Sequence, residues 1–270
     1  MDRYAVIGNP VAHSKSPWIH AEFARATGQA MTYVAIEAPR DGFARTVSAF
    51  RASGGRGANV TLPFKGEAFR YCAATSERAR LAQAVNTLVL DRDEPWGDNT
   101  DGVGLVRDLE QNLAFALRGR SVLLMGAGGA AQGVAKPLGD AGAARIVVVN
   151  RDVAKAQALV DRLAGASGAA LRACGYAELA GEGFDLVVNA TSVGLSGELP
   201  VLPKDLFAPG ALAYDMVYGR DTAFLAFARA AGARTADGSG MLVEQAAESF
   251  FIWRGVRPDT RAVLTALRVG

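Results

Sequence analysis

Little in this sequence ties it to an oxidising compartment, a resident metal or a membrane. Only two cysteines occur in 270 residues. Cys72 and Cys174 match no metal or redox spacing, so they read as free thiols of a cytoplasmic chain. No apolar stretch approaches the roughly 20 residues a membrane-spanning helix needs. A charged pair leads directly into the strand-like run Tyr4-Ala5-Val6-Ile7, without the apolar core of a signal peptide. The net charge is only +2, and the basic residues are scattered, which argues against nucleic acid or an anionic membrane as the main partner. Repeats and low-complexity segments are missing too, apart from a general richness in alanine. The expected partner is a small molecule.

What is present is apolar and periodic. Half the residues are hydrophobic, enough for a sizeable core in one large or two modest domains. Residues 3–8 read as a strand ending at Gly8, and the polar loop Val11 to Ser16 follows. Pro17 sits where a first-turn proline is tolerated, with Ser16 as the N-cap. Ile19, Phe23 and Ala26 share a helical face up to Gly28. Strand-like runs at Met31–Glu37, Gly57–Thr61 and Val85–Leu90 alternate with helical runs at Gly42–Ala52, Phe64–Cys72 and Ser76–Ala84. This alternation predicts an α/β fold with a mostly parallel sheet.

The stretch Ser121 to Arg151 is a strand, a glycine turn, a helix and a second strand, the unit that binds dinucleotides. Gly126 turns the chain out of the strand, and Gly128 lets backbone N–H groups approach a pyrophosphate. Ala131 takes the close-packing position. A helix beginning near Gly129 points its amides and positive dipole end at the phosphates. The second strand ends in Asn150-Arg151, where an arginine suits the 2′-phosphate of NADP better than the ribose of NAD; Lys155 follows one helical turn later. Asp152 either caps the next helix or contacts a ribose. The expected cofactor is NADP, bound through Gly126, Gly128, Gly129, Ala130, Asn150, Arg151 and Lys155.

Polar clusters mark strand ends in the first half, where ligands of open α/β sheets sit. Ser14-Lys15-Ser16 reads alone as a cap and turn, Lys65 as a surface lysine after Pro63, Asp101 as a turn carboxylate, and Asn86 as a structural amide. Together, GNPVAHSKSPWIH, GANVTLPFK, AVNTL, DNTDGVG, GAGGAA, NATSVG, YDMVYG and GMLVEQAAESF resemble successive motifs of the shikimate dehydrogenase family, from Tyr4 to about Trp253. The resemblance implies reversible NADPH-dependent reduction of 3-dehydroshikimate to shikimate. It implies that Ser14 and Ser16 hold the substrate carboxylate, and that Thr61, Asn86, Gln245, Lys65 and Asp101 contact the ring. Lys65 and Asp101 are then a catalytic pair, either of which can be the formal proton donor. Thr191, with Ala190 and Ser192, and Met216, Val217 and Gly240 are implied along the dinucleotide, and Tyr218 toward the substrate.

Because Gln245 belongs with the first-half motifs, the tail must fold back. The expected domains are 1–102 plus 238–270 for substrate and 103–237 for NADP, with the active site in the cleft between them and a helix from Val103 to Leu117 bridging them. From Gly240 the chain reads as two helices, Met241–Trp253 and Pro258–Leu267. The first is expected to carry an apolar stripe over Met241, Leu242, Gln245, Glu248, Phe251 and Ile252, interrupted on its first turns by polar Glu244 and Gln245, and to close the substrate pocket. The expected assembly is a monomer or a homodimer. Asp152 departs from the family, which favours threonine there, and weakens NADP selectivity unless it turns away. Ala223 departs from a proline and affects only a helix start. The competing readings are a quinate-oxidising relative that uses NAD, and a non-catalytic NADP sensor.

Overall fold

The computed structural model describes residues 1–191 and 199–269, so Ser192 lies outside the described residues. The chain divides into two compact units, Met1–Gly104 with Val243–Gly270, and Leu105–Leu242.

In the first unit, β1 (Asp2–Gly8), α1 (Ser16–Thr27), β2 (Met31–Glu37), α2 (Phe43–Ala52), β3 (Gly55–Val60), α3 (Lys65–Tyr71), β4 (Ala74–Thr75), α4 (Glu77–Ala82), β5 (Thr87–Val89) and β6 (Trp96–Asp98) follow one another. The six strands form one sheet in the order β2-β1-β3-β5-β6-β4. Only β5 runs against its neighbours β3 and β6. The link from β5 to β6 is too short for the helical crossover that a parallel pair requires, so the two must be antiparallel. β4 and β6 escape a reading from periodicity because each spans only two or three residues. Ile7, Phe43, Phe64 and Leu88 pack in one apolar cluster, each worth roughly 1.5–3 kcal/mol of burial.

The second unit opens within α5 (Asp101–Arg107) and continues through β7 (Ser121–Met125), α6 (Gly129–Asp140), β8 (Arg145–Val149), α7 (Val153–Leu163), β9 (Ala170–Cys174), β10 (Phe184–Asn189), β11 (Phe207–Asp215), α8 (Ala223–Ala230) and β12 (Arg234–Ala236). Its sheet order is β12-β11-β10-β7-β8-β9, parallel throughout. Strand order reverses between β7 and β10, the switch point where such sheets bind their ligands. Leu123, Val147, Val187 and Phe224 belong to its core. Two further helices, α9 (Ser239–Arg254) and α10 (Arg261–Val269), end the described chain.

Three local expectations are corrected. Ser16 is the first helical residue rather than the cap; the preceding Lys15 makes no side-chain cap bond. Ser14 Oγ instead accepts the Ser16 N–H at 3.2 Å, and Pro17 lowers the need for a cap because it has no N–H to satisfy. The helix expected over Val103–Leu117 stops at Arg107 and widens into a π-turn over Asp108–Asn112, after which Ala114 takes φ 51°. Asp108 is fully buried, accepting from Tyr214 Oη at 2.7 Å and from Asn112 Nδ2 at 3.0 Å. The wider turn places that carboxylate inside. Finally, Phe251, counted in the apolar stripe of α9, is 40% exposed, with the Arg257 guanidinium 4.6 Å from its ring centroid, whereas the polar Glu244, Gln245, Glu248 and Ser249 are all buried.

Candidate functional site

The polar residues at the strand ends of the first unit converge. Lys65 opens α3 directly after the turn that follows β3, and Asp101 opens α5 after β6. Lys65 Nζ donates to Asp101 Oδ2 at 2.5 Å. The contact is largely shielded from water, with side-chain exposures of 19% and 6%. The other carboxylate oxygen, Oδ1, accepts from Asn86 Nδ2 at 2.8 Å. Asn86, just before β5, also donates to Thr100 Oγ1 at 2.9 Å and to Gln245 Oε1 at 3.2 Å. Its own Oδ1 accepts from the Thr100 backbone N–H at 2.8 Å and from Thr87 Oγ1 at 2.9 Å. Lys65, Asn86, Asp101 and Gln245, scattered along the sequence, therefore form one connected cluster. Buried polar groups are costly unless paired, and a connected network holds each member in one orientation.

Gln245 reaches this cluster from α9, which adheres to the first unit through further bonds. Asn59 Nδ2 donates to Ser249 Oγ at 2.9 Å, Trp253 Nε1 donates to the Leu88 carbonyl at 2.9 Å, and Arg254 pairs with Asp2. Ser14 is half-buried and Ser16 buried at the start of α1, while Thr61 is half-buried just beyond β3. Thr87, Thr100 and Ser249 fall within the motifs AVNTL, DNTDGVG and GMLVEQAAESF, but sequence reasoning gave them no role. Each sits beside a residue of a polar cluster or motif, Thr87 after Asn86, Thr100 before Asp101 and Ser249 after Glu248, and all three are buried.

In the second unit the glycine turn leaves β7 as the sequence implies. Gly126 has φ 104°, and a Cβ there would press within 3.2 Å of the Ala190 carbonyl oxygen and Thr191 Cγ2. Gly128 and Gly129 face open space and are exposed, with Ala130 half-buried beside them. No side chain caps α6, so its first-turn N–H groups remain available to an anion. This open backbone cradle fits a pyrophosphate. Met125 and Val149 are register partners, which sets Asn150 and Arg151 at the strand end beside the turn. Arg151 is exposed and forms no ion pair among the described residues.

Asp152 precedes α7 without capping it. Its carboxylate lies 3.5 Å from Lys155 Nζ, and its carbonyl accepts from Asn150 Nδ2 at 2.9 Å. Lys155 thus offsets part of the Asp152 charge. At the neighbouring strand ends, Asn189 Oδ1 accepts the Thr191 hydroxyl at 2.6 Å. Asp215 accepts from the Val217 N–H at 3.0 Å, Asn189 Nδ2 at 3.2 Å and Thr222 Oγ1 at 2.6 Å. These two buried side chains shape the loop carrying Met216, Val217 and Tyr218, all half-buried. Gly240 has a packing reason of its own, because a Cβ there would stand 1.8 Å from Asp108 Oδ1. Neither cysteine competes for a catalytic role: both are free, and burial pushes the Cys72 thiol up to about 12. Among the described residues there is no metal-ligating cluster and no helix long and apolar enough to cross a membrane.

Comparison with known proteins places these features in one lineage. Residues 6–88 match the shikimate dehydrogenase substrate binding domain, 108–205 the shikimate / quinate 5-dehydrogenase model, and 238–268 the shikimate 5′-dehydrogenase C-terminal domain. The chain is 60% identical over 269 residues to a shikimate dehydrogenase (NADP(+)) of Nitrosospira multiformis, covering 99% of this chain and 97% of that one. The crystal structure of an Ael1 enzyme from Pseudomonas putida superposes with a TM-score of 0.94 at 51% identity, covering 99% and 98% of the two chains. Shikimate 5-dehydrogenase from Thermus thermophilus, solved with NADP(H) and shikimate, gives 0.88 at 35% identity, covering 100% and 99%.

Proposed function

The chain belongs to the shikimate dehydrogenase family, and on that premise we propose that it reversibly reduces 3-dehydroshikimate to shikimate with NADPH, on the route to chorismate and the aromatic amino acids. The observation that carries the residue assignment is the shielded Lys65–Asp101 contact, with the second Asp101 oxygen held by Asn86.

NADPH, when bound, supplies the hydride that turns the ring ketone into an alkoxide. The protein must then place positive charge and a proton at that oxygen. Lys65 does both. One of its protons is engaged by Asp101, and the others remain to be directed at the substrate oxygen. Asp101, with both oxygens already accepting, orients the ammonium and accepts a neighbouring ring hydroxyl rather than giving a proton. Asn86, Gln245 and Thr61 supply amides and a hydroxyl to the ring hydroxyls, and Ser14 and Ser16 take the carboxylate beside the N-terminus of α1. In the second unit, the amides around Gly128, Gly129 and Ala130 hold the pyrophosphate. Asn150 and Arg151 with Lys155 hold the adenosine ribose and its 2′-phosphate, while Thr191, Met216 and Val217 lie along the dinucleotide. The scattered charge fits a small-molecule partner, and the free Cys72 and Cys174 fit a chain that works in the cytoplasm; the proposed assembly is a monomer or a homodimer.

The test is absorbance at the reduced-nicotinamide band with shikimate or quinate, and NADP or NAD. Shikimate with NADP is expected to give the highest kcat/KM; no reduction of NADP by shikimate would overturn the proposal. Quinate and NAD are the second reading, favoured by the exposed Asp152 and opposed by its pairing with Lys155. A non-catalytic sensor would have no use for the Lys65–Asp101–Asn86–Gln245 cluster.

A further inference from the structure

Buried titratable groups in the first unit stand outside the proposed chemistry. His20 of α1 is one, wholly buried with its Nε2 3.2 Å from Asn59 Oδ1. A larger set is a chain of alternating charge through Asp98, Arg78, Glu248 and Arg257. Arg78, in α4, forks onto Asp98, its Nε donating to Oδ1 and its Nη2 to Oδ2, both at 2.7 Å. The same Nη2 donates to Glu248 Oε1 at 3.3 Å, and Arg257 Nη2 donates to Glu248 Oε2 at 2.8 Å. Asp98 and Glu248 are buried, and the Arg78 side chain is only 28% exposed.

Packing alone is a poor reason for this chain. An ion pair taken out of water recovers little more than its desolvation cost, and apolar side chains of similar volume often serve stability as well. What an arginine fork adds is direction, because a planar guanidinium and a carboxylate meet in one preferred geometry.

Each carboxylate stands three residues from a member of the proposed site, Asp98 before Asp101 and Glu248 after Gln245. Asp98 ends β6. Its Oδ1 also accepts the Asn99 N–H at 2.7 Å and the Ser76 hydroxyl, and its carbonyl accepts the Asn86 N–H at 3.0 Å. Asn99, whose Nδ2 donates to the Ala84 carbonyl at 3.0 Å, in turn accepts the Asp101 N–H at 3.1 Å. Asp98 therefore helps to set where Asp101 enters α5. Glu248 shares a helix face with Gln245 on α9. Asn86 Nδ2 spans the two site residues, reaching Asp101 Oδ1 at 2.8 Å and Gln245 Oε1 at 3.2 Å.

We infer that Arg78 is a positioning residue for the proposed reaction. By clasping Asp98 and Glu248 together, it fixes the spacing between Asp101 and Gln245 that lets both meet the substrate ring. It acts on Asp101 through Asp98 and on Gln245 through Glu248.

The inference rests on the placement of Asp101 and Gln245 at the substrate, and the experiment separates the two. Shikimate affinity is measured by titration calorimetry on the full chain, kcat and both KM values by steady-state rates, and folding by urea. Arg78→Lys keeps the charge but loses the fork. It is expected to lower kcat/KM for shikimate roughly tenfold, with the KM for NADP unchanged. Glu248→Gln keeps the Arg78–Asp98 fork and loosens only the α9 arm. It should weaken shikimate binding roughly three- to tenfold, with kcat within about twofold. In a Gln245→Ala background it should add less than about twofold, because it acts through the glutamine. Glu248→Gln carries the test alone if Arg78→Lys does not fold. Native shikimate kinetics per folded enzyme in Arg78→Lys, whatever its urea midpoint, would overturn the inference, as would full additivity of Glu248→Gln with Gln245→Ala. If Gln245→Ala alone binds shikimate normally, the assignment of Gln245 to the ring fails and the inference falls with it. If Gln245→Ala is weakened and Arg78→Lys is not, only the positioning role is wrong.

Discussion

At the candidate substrate site of the first unit, buried side chains spend their hydrogen bonds on one another: Asn86 reaches Thr100, Asp101 and Gln245 at once. The dinucleotide side of the second unit is built from exposed backbone at Gly128 and Gly129 and exposed charge at Arg151 and Lys155. A buried network has its orientations fixed before any ligand arrives, and its charges act in a low dielectric. An exposed rim of backbone and cations is screened by water and salt, so each side chain there carries less. The first site should therefore respond to single substitutions and to acid, and the second to ionic strength.

The sharpest way to break this contrast is at Lys65. Lys65→Ala should lower kcat by roughly 100-fold or more, because its positive charge acts on the forming alkoxide, with shikimate KM changed only modestly. Steady-state rates in both directions measure it, and a near-normal kcat would put the proton donor elsewhere. Acid comes next. The folded pKa of His20, about 3, lies below its ordinary 6.5, so between those values the unfolded chain binds the extra proton. Stability from this group is complete above about pH 6.5 and falls by about 1.4 kcal/mol per unit below it, or about 2 kcal/mol by pH 5. Urea unfolding at pH 7 and pH 5 should show a loss for the native chain that His20→Gln removes.

The second site should yield smaller numbers. Arg151→Ala should raise the KM for NADP about tenfold and leave that for NAD nearly unchanged, since only NADP presents a 2′-phosphate. The gap should narrow as salt is added, and equal losses for both cofactors would place the guanidinium away from the ribose. Asp152→Thr should change NADP affinity by less than about twofold, because an exposed carboxylate beside Lys155 is already partly offset. A large gain would show that the pairing does not shield the phosphate.

What could be read directly was whatever is local and regular. The Val122–Met125 run, the turn at Gly126 and the helix after it follow from neighbours in the chain. Strand β4, with only two residues, has no period to read. The helix expected through Leu117 is interrupted by Asp108, whose partner Tyr214 lies 106 residues away. Asn59 is likewise explained by Ser249, 190 residues distant. The family resemblance implied that Lys65, Asn86, Asp101 and Gln245 belong together, and the structure joins them in one cluster, but it assigned no role to Thr87, Thr100 and Ser249, which bond to them. A polar residue in an apolar strand signals that a partner exists without saying where.

The discontinuity of the first unit bears on how the protein is made. Met1–Gly104 leaves the ribosome early, yet the helix supplying Gln245, Ser249 and Trp253 belongs to the segment from Val243 onward. The whole of Leu105–Leu242 is synthesised in between, on the order of ten seconds at ordinary elongation rates. Throughout that interval Asn59 and Asn86 wait without their α9 partners, while the later-born second unit can already complete its parallel sheet. The nascent chain can thus acquire its dinucleotide-type fold before its substrate-type site, and a helix made after the second unit finishes the first.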